Sequence, residues 1–225
     1  MTISIAGGCG RSGMVGVAIA SSSPCVAARC AFARAGAGAA LSQNVTDPRL
    51  GQRALELMRS GLPAQAALDR LVGEVGAFAP YRQLVLVDAA GAGAVHTGAR
   101  ALGKHAAVLG KSCAAAGNLL ANERVPQAMA DAFAAGAGLH LAERLLRSLA
   151  AGLEAGGEAG PVKSAGLLVV DTQPWPLVDL RVDWADAPVS RLSELWTLYK
   201  PQMNDYITRA LDPSAAPSFG VPGDP

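Results

Sequence analysis

Thr2 is the residue whose type and position best suit covalent chemistry in this chain. It follows Met1 directly, so removal of Met1 would leave a threonine at the amino terminus, on the first predicted strand. A threonine hydroxyl is a weak nucleophile that needs an adjacent base. A free α-amino group, with a pKa of about 8, can act as that base on the same residue. Thr2 is therefore a candidate N-terminal nucleophile; the alternative is that it is an ordinary strand residue and that Met1 stays attached.

Three glycine-containing stretches have spacings close to nucleotide-binding motifs. Residues 8–13 match the dinucleotide fingerprint, but a β-type run follows where a helix is needed, and no acidic residue occurs before Asp47. A hairpin turn explains these glycines better. Residues 98–104 and 110–112 each lack part of a phosphate-binding loop. We therefore expect no nucleotide and no cofactor.

The composition narrows the class of protein further. A chain of 225 residues suits one large domain or two small ones. The net charge is +1 without a long basic run, which disfavours nucleic acid and anionic lipid as partners. No apolar run is long enough to cross a bilayer, and the first residues lack the pattern of a secretory signal. We expect a cytoplasmic protein that binds neither nucleic acid nor membrane.

The cysteines and histidines do not form a metal-binding pattern. The four cysteines show no Cys-x-x-Cys spacing, and there are three histidines without a Cys/His cluster. Thiols of cytosolic proteins usually stay reduced. We interpret the cysteines as small, buried or partly buried side chains and predict no metal site.

Hydrophobic periodicity predicts strands and helix pairs in alternation. We predict strands over residues 2–6, 14–21, 35–42, 83–88, 94–98, 106–115, 165–170 and 177–184. Asp47 followed by Pro48 is typical of a helix start, and Pro63 begins the second helix of that pair. A second pair is predicted over residues 123–133 and 139–153, and Pro188 begins a final helix.

The order of these elements indicates a single domain over residues 1–210, in which sheets pack together and helices cover them. Residues 211–225 are rich in proline, serine and glycine. We predict that they form a flexible terminus or an arm that contacts a partner subunit.

The chain resembles the family of domains of unknown function 1028, which is placed among the N-terminal-nucleophile (Ntn) hydrolase folds. The resemblance covers roughly residues 1–200, and the order of the matching stretches is more specific than any one of them. The stretches are residues 1–5, 16–21, 33–36, 43, 47–51, 54–57, 96–98, 117–121, 141–146, 164–170 and 178–183.

The resemblance implies an α+β fold, a four-layer αββα sandwich with two antiparallel sheets flanked by helix pairs. It brings no established activity. The sequence departs from the family pattern at residues 25–30 and 102–108. If those segments line a pocket in relatives, the pocket of this chain differs.

Several polar residues are candidates for a site around Thr2. Asn118 follows a strand and a glycine and could donate to a developing oxyanion, or simply cap a turn. Arg34 could bind a substrate carboxylate or tune the amine, or lie in solvent at a strand end. Gln43 and His96 could line the cleft, although a histidine in such a place is more often structural. Asp179 and Arg181 share a strand face, which is either a salt-bridged exterior or a polar pocket.

Two functional hypotheses follow from this sequence. The first is a cytosolic amidohydrolase that cleaves a C–N bond of a small polar substrate with Thr2 as nucleophile. The second is a non-catalytic Ntn-fold protein that binds a ligand or builds an oligomer, prompted by the lack of an obvious acid or lysine near Thr2. In either case we expect a homodimer or a higher homo-oligomer.

Overall fold

The computed structural model describes residues 1–222 of the chain. Two antiparallel sheets and the helices between their strands make up this region. The strands are β1 Thr2–Gly8, β2 Val15–Ser21, β3 Ala31–Arg34, β4 Gly38–Asn44, β5 Arg82–Asp88, β6 Gly93–Thr97, β7 Ala106–Gly110, β8 Cys113–Asn118, β9 Ser164–Val170 and β10 Val178–Val182.

The helices fall mainly between the strand groups, as the hydrophobic periodicity predicted. They are α1 Val26–Cys30, α2 Pro48–Arg59, α3 Ala64–Val75, α4 Val125–Ala135, α5 Leu141–Glu154, α6 Pro188–Tyr199 and α7 Met203–Leu211. Within residues 1–222, no helix has the length and apolar character needed to cross a membrane.

The larger sheet has six strands in the order β10-β9-β2-β1-β8-β7, and the smaller has the order β3-β4-β5-β6. Neighbouring strands in both sheets run antiparallel. The predicted α+β class with two antiparallel sheets is therefore confirmed. The first strand of the chain, β1, lies in the interior of the larger sheet, where β2 and β8 pair with it on either side.

Alternating side chains of β1 enter two different hydrophobic clusters, as expected for a strand buried on both faces. Ile3 and Ile5 pack with apolar residues of α4, α5 and α6. Ala6 packs on the other face with residues of both sheets, including Val17, Leu41 and Val85. A third cluster joins the outer face of the smaller sheet to α2 and α3.

Local sequence signals explain two of these elements directly. Asp47 caps α2, where its Oδ1 accepts a hydrogen bond of 3.1 Å from the backbone N–H of Arg49, and Pro48 is the first helical residue. The glycine-containing stretch between β1 and β2 is a hairpin connection in which Gly13 has a φ of 75°. Both predictions are confirmed.

The single strand predicted over residues 106–115 is wrong. The chain reverses at Lys111 and Ser112, so β7 and β8 form a hairpin in which Gly110 pairs with Cys113. Ser112 has a φ of 58°, a left-handed conformation that a serine seldom adopts. Because the residues on both sides of this turn are nearly all apolar, hydrophobic periodicity did not indicate it. The same turn accounts for the Gly110-Lys111-Ser112 sequence without a phosphate ligand.

Two further helices were missed. The five-residue helix α1 follows β2, between the strands predicted over residues 14–21 and 35–42. Beyond α6, the predicted final helix, the chain forms α7. Part of the predicted tail contacts α7, because the Arg209 guanidinium carbon lies 3.6 Å from the ring centroid of Phe219. Residues 223–225 of that tail lie outside the described residues.

Candidate active site

Thr2 lies at the start of β1, where the space between the two sheets ends. It pairs with Asn118 of β8, and its residue surface is 7% exposed. Because side chains alternate along a strand, Thr2 shares the face of Ser4 and Ala6, which is directed at the smaller sheet. Its Oγ1 donates a hydrogen bond of 2.5 Å to the carbonyl oxygen of Met1.

Met1 is held in place by both its backbone and its side chain. The Met1 carbonyl oxygen also accepts a hydrogen bond of 2.5 Å from Ser21 Oγ, at the end of β2. The Met1 side chain lies against Gly160, since a Cβ added at Gly160 would be 2.9 Å from Met1 Cε. Gly160 in turn lines a cavity of about 300 Å³ together with Glu158 and Val189. Gly160 is therefore a neighbour of both Met1 and this cavity.

Gln83 is the centre of a buried hydrogen-bond network beside Thr2. Its Oε1 accepts hydrogen bonds from Gln43 Nε2 at 2.8 Å and from Asn118 Nδ2 at 3.0 Å. Its Nε2 donates to Thr97 Oγ1 at 3.1 Å and to the Gly117 carbonyl oxygen at 3.0 Å. These bonds fix the orientation of both amides and join the two sheets at this end.

Ser4 extends this network along β1. Its Oγ donates a hydrogen bond of 2.6 Å to Gln43 Oε1, so the first two inward-facing residues of β1 both have polar surroundings. The next inward-facing residue, Ala6, belongs to the apolar cluster. The space between the sheets therefore changes from polar to apolar over about two residues of β1.

Glu158 is a buried carboxylic acid near the amino terminus. It is 5% exposed, and its Oε2 accepts a hydrogen bond of 3.1 Å from the backbone N–H of Ser22. Its Oε1 has no hydrogen-bond partner among the described residues. Burial raises the pKa of Glu158 to about 7, against the opposing effects of the Met1 ammonium and of the hydrogen bond from Ser22. Glu158 can therefore exchange a proton near neutral pH.

A chain of hydrogen bonds connects Met1 to an arginine. Ser21 Oγ lies 2.8 Å from Ser23 Oγ, and Arg29 Nη2 donates to Ser23 Oγ at 2.9 Å. Arg29 belongs to the short helix α1. Ser21 Oγ, which contacts the Met1 carbonyl oxygen, is thus held by Ser23 Oγ. Ser23 Oγ is in turn held by the Arg29 guanidinium.

Cys30 is the thiol that lies near this end of the molecule. It is 3% exposed, and its Sγ is 3.5 Å from Thr46 Oγ1. Burial raises the pKa of the Cys30 thiol, and this effect outweighs the opposing ones from Thr46, Arg29 and the Met1 ammonium. Cys30 is therefore a protonated, unreactive thiol at neutral pH.

The structure brings together three of the residues that the sequence singled out. Thr2 and Asn118 are directly paired across β1 and β8. Gln43 joins them through Gln83 and Ser4. His96 pairs with Leu84, on the face of the smaller sheet that packs against helices, and its Nε2 lies 3.0 Å from the Ala79 carbonyl oxygen. His96 is thus on the opposite face of its sheet from Thr2.

The remaining predicted residues lie away from Thr2. Arg34 pairs with Gly38 at the beginning of β4, whereas Gln43 is five residues further along that strand, about 17 Å away. Asp179 and Arg181 are on the edge strand β10, where Arg181 donates to both carboxylate oxygens of Asp179 at 2.8 and 2.9 Å. That geometry fits the salt-bridged exterior, which was one of the two interpretations of this face.

Sequence reasoning missed Ser21, Gln83 and Glu158. Gln83 could have been found, because it alternates with the inward-facing Val85 on β5 and is a polar residue within an apolar run. Ser21 continues β2 in the same way after Val17 and Ile19. Glu158 had no such signal, because it follows two glycines in a loop and reaches the site through tertiary packing alone.

The arrangement provides a hydroxyl, amide donors and one titratable carboxyl at the buried amino terminus. The Asn118 amide uses one of its two N–H groups on Gln83, and the other is available for a further acceptor. These groups are suited to acyl transfer at a carbonyl carbon. No group of three or more histidine, cysteine or acidic residues within residues 1–222 is positioned to hold a metal ion.

Two solved structures and one family model are similar to this chain. No curated protein matches the chain. The crystal structure of protein SPO2555 from Silicibacter pomeroyi, a DUF1028 protein, is similar with a TM-score of 0.81 and 30% identity, over 88% of this chain and 89% of that one. Anbu (ancestral beta-subunit) from Yersinia bercovieri gives a TM-score of 0.41 and 13% identity over 91% and 97% of the two chains. The model of a family of unknown function, DUF1028, matches residues 2–192, and the chain therefore belongs to this family.

Proposed function

We propose that this protein is an Ntn-type amidohydrolase that cleaves a C–N bond of a small polar substrate, with Thr2 as the nucleophile once Met1 has been removed. One observation carries the proposal. The Thr2 hydroxyl lies at the polar end of the space between the sheets, 2.5 Å from the carbonyl oxygen of Met1. Cleavage of the Met1–Thr2 peptide bond would combine this hydroxyl with a free amine on the same residue.

The proposal includes a four-layer αββα arrangement of the Ntn type. Three separate hydrophobic clusters support it: one between the larger sheet and α4 to α6, one between the two sheets, and one between the smaller sheet and α2 and α3. In such an arrangement, a nucleophile on the first strand of a central sheet faces the opposing sheet, as Thr2 does.

The proposed reaction uses groups already in place. The Thr2 α-amine accepts the proton of Oγ1 as Oγ1 bonds to the substrate carbonyl carbon. The free N–H of Asn118 donates to the oxyanion that develops. The amine then returns the proton to the leaving nitrogen as the C–N bond breaks, and water hydrolyses the resulting ester.

The surroundings favour a small and polar substrate. Removal of Met1 vacates the space beside Gly160, a residue that lines the cavity of about 300 Å³. The groups around Thr2 are amides and hydroxyls, which recognise hydrogen-bonding substrates, and a single carboxyl. As part of the same proposal, the protein acts in the cytoplasm as a homodimer or higher homo-oligomer. Analytical ultracentrifugation tests the oligomeric state.

A second function is favoured by the firm attachment of Met1. Its carbonyl oxygen accepts two hydrogen bonds, from Thr2 and from Ser21, and Thr2 is only 7% exposed. A chain that keeps Met1 would have no free amine on Thr2. In that case we propose a non-catalytic Ntn-fold protein that binds a ligand or forms an oligomer.

The intact mass of the protein from its native host separates the two functions. Loss of one methionine is expected for the hydrolase. A fusion cleaved directly before Thr2 supplies the processed chain independently, for assay against a panel of small amides and ureido compounds. We expect Thr2→Ala to lower the rate by at least about 10³-fold, because the nucleophile is absent.

The controls address folding and chemistry separately. Thr2→Ser keeps a hydroxyl and should retain activity, and Thr197→Ala changes an exposed threonine on α6 and should have no effect. Quantitative retention of Met1 in the native host, together with no turnover by the fusion-derived chain, would exclude the hydrolase.

A further inference from the structure

A second candidate site lies at the other end of β1. A cavity of about 450 Å³ is lined by the loop between β1 and β2, the turn between β7 and β8, the end of α4 and the beginning of α5. The strand β1 has seven residues, so this cavity is about 20 Å from Thr2. The proposed hydrolysis uses none of its lining residues.

The charged side chains that line this cavity are all cationic. They are Arg11, Lys111 and Arg144, and no aspartate or glutamate lines it. Within residues 1–222, none of the three has a carboxylate within salt-bridge distance. Three neighbouring cations without a carboxylate partner repel one another, so a bound anion would be stabilised there.

Arg144 is the most informative of these cations, because it is 7% exposed. Its Nε and Nη2 donate to the Phe133 carbonyl oxygen at 3.2 and 2.9 Å, and its guanidinium carbon lies 3.7 Å from the Phe133 ring centroid. Its Nη1 has no hydrogen-bond acceptor among the described residues. Burying a guanidinium that lacks a carboxylate partner is costly, and a carbonyl oxygen compensates only part of that cost.

Cys9 adds a polarisable thiol to the same cavity. Burial acts to raise its pKa, but hydrogen bonds from Ser12 and Arg11 outweigh that effect and lower the pKa of Cys9 to about 7. The thiol is partly exposed. The lowered pKa favours the reactive thiolate form, so Cys9 is a chemical reporter of what enters the cavity.

We propose that this cavity is a binding site for a small anion that bears a carboxylate or phosphate group. The ligand accepts hydrogen bonds from the free Nη1 of Arg144 and neutralises the charges of Arg11 and Lys111 at the rim. The volume suits a metabolite-sized molecule rather than a polymer. The site is independent of Thr2 and remains if the proposed hydrolysis is wrong.

Alkylation of Cys9 tests the charge preference of the site. Iodoacetate is anionic and iodoacetamide is neutral, and peptide mass spectrometry follows each cysteine separately. Cys25 is also partly exposed, lies outside this cavity and serves as the internal control. We expect the rate ratio of iodoacetate to iodoacetamide to be about fivefold higher at Cys9 than at Cys25, the effect of a Coulombic attraction of about 1 kcal/mol.

Substitutions of Arg11 and Lys111, at the rim of the cavity, test whether these cations cause the higher rate ratio at Cys9. Arg11 and Lys111 are exposed, so Arg11→Gln and Lys111→Gln should leave the fold intact. We expect each to lower the ratio at Cys9 and to leave Cys25 unchanged. Arg144 contacts the end of α4 and is unsuitable for this purpose, because its removal would also leave the Phe133 carbonyl unpaired.

Protection experiments identify the ligand chemistry. Succinate and inorganic phosphate are added separately at millimolar concentrations, with sodium chloride at matched ionic strength, and Cys9 alkylation by the neutral iodoacetamide is measured. Slower alkylation with succinate alone indicates a carboxylate site, and slower alkylation with phosphate alone indicates a phosphate site. Equal charge ratios at Cys9 and Cys25, or no protection beyond that of sodium chloride, would overturn the proposal.

Discussion

The two ends of β1 have opposite chemistry. At the Thr2 end, hydroxyls and amides form a closed network around a buried and covered residue, with one carboxyl of raised pKa. At the Cys9 end, three cations and a thiol of lowered pKa line an open cavity. One strand therefore positions two sets of functional groups about 20 Å apart.

The two ends of β1 differ in how far burial determines the pKa values of their titratable groups. At the Thr2 end, neutral partners satisfy nearly every polar group, and desolvation dominates the titration of Glu158 and Cys30. At the Cys9 end, hydrogen bonds outweigh desolvation at the thiol. The first end is suited to holding a nucleophile in a fixed geometry, and the second to attracting a charged molecule from solvent.

The largest expected effect is the loss of stability when the Gln83 amide is removed from the hydrogen-bond network at the Thr2 end. Gln83→Leu would leave the Gln43 and Asn118 amides and the Gly117 carbonyl without their partner. Each unpaired buried polar group costs about 1–3 kcal/mol, so we expect the free energy of unfolding to fall by about 4 kcal/mol in urea titrations. Gln65→Leu, which removes one exposed hydrogen bond to Asp69, is the matched control and should change it by less than about 0.5 kcal/mol. A small effect of Gln83→Leu would show that the Thr2 end is hydrated rather than closed.

The next largest expected effect is the contribution of Glu158 to the pH dependence of the free energy of unfolding. Its pKa is about 7 in the folded protein and near 4.5 in the unfolded chain, so the folded state binds more protons between these values. The free energy of unfolding should therefore fall as the pH rises from about 4.5 to about 7, by at most ~3 kcal/mol from this group. Glu158→Gln should remove this dependence, whereas Glu154→Gln, at an exposed position on α5, should keep it. An unchanged profile in Glu158→Gln would mean that the carboxyl is not desolvated.

The smallest expected effect is a difference in alkylation between Cys9 and Cys30, the thiols at the two ends of β1. Cys9 has a pKa of about 7, whereas burial holds the pKa of Cys30 above its ordinary value of 9.0. At pH 7 the thiolate fraction should therefore differ by at least about 50-fold. Alkylation by iodoacetamide, followed by peptide mass spectrometry, should label Cys9 and spare Cys30 in the native protein. Equal labelling under native conditions would contradict the contrast between the two ends.

Much of the fold was predictable because it depends on local patterns. The alternation of Ile3 and Ile5 with Ser4 indicated a strand with two distinct faces, and Asp47 with Pro48 indicated the start of α2. The turn at Ser112 was not predictable in the same way, because a serine with positive φ is stabilised by its surroundings rather than by its own preference.

The site was less predictable, because its residues meet only in three dimensions. Thr2 was found because it follows Met1, Asn118 because it follows a predicted strand and a glycine, and Gln43 because it matches the family. His96 and Arg34 also lie near strand ends, but one faces the wrong side of its sheet and the other lies at the wrong end. Glu158 reaches Ser22 across 136 residues of sequence, a contact that no local pattern encodes.

The interior position of β1 sets a time limit on the removal of Met1. Where translation begins at Met1, an aminopeptidase can reach that residue only while the amino terminus is free. The residues that hold it include Glu158 and Gly160, which a ribosome adds after roughly 10–30 s at ordinary rates of synthesis. After β8 and β9 have completed the larger sheet, Met1 is partly buried and its carbonyl oxygen is bound by Thr2 and Ser21. The state of the amino terminus, and with it the proposed activity, would then be decided during synthesis and would be fixed for the lifetime of the folded protein.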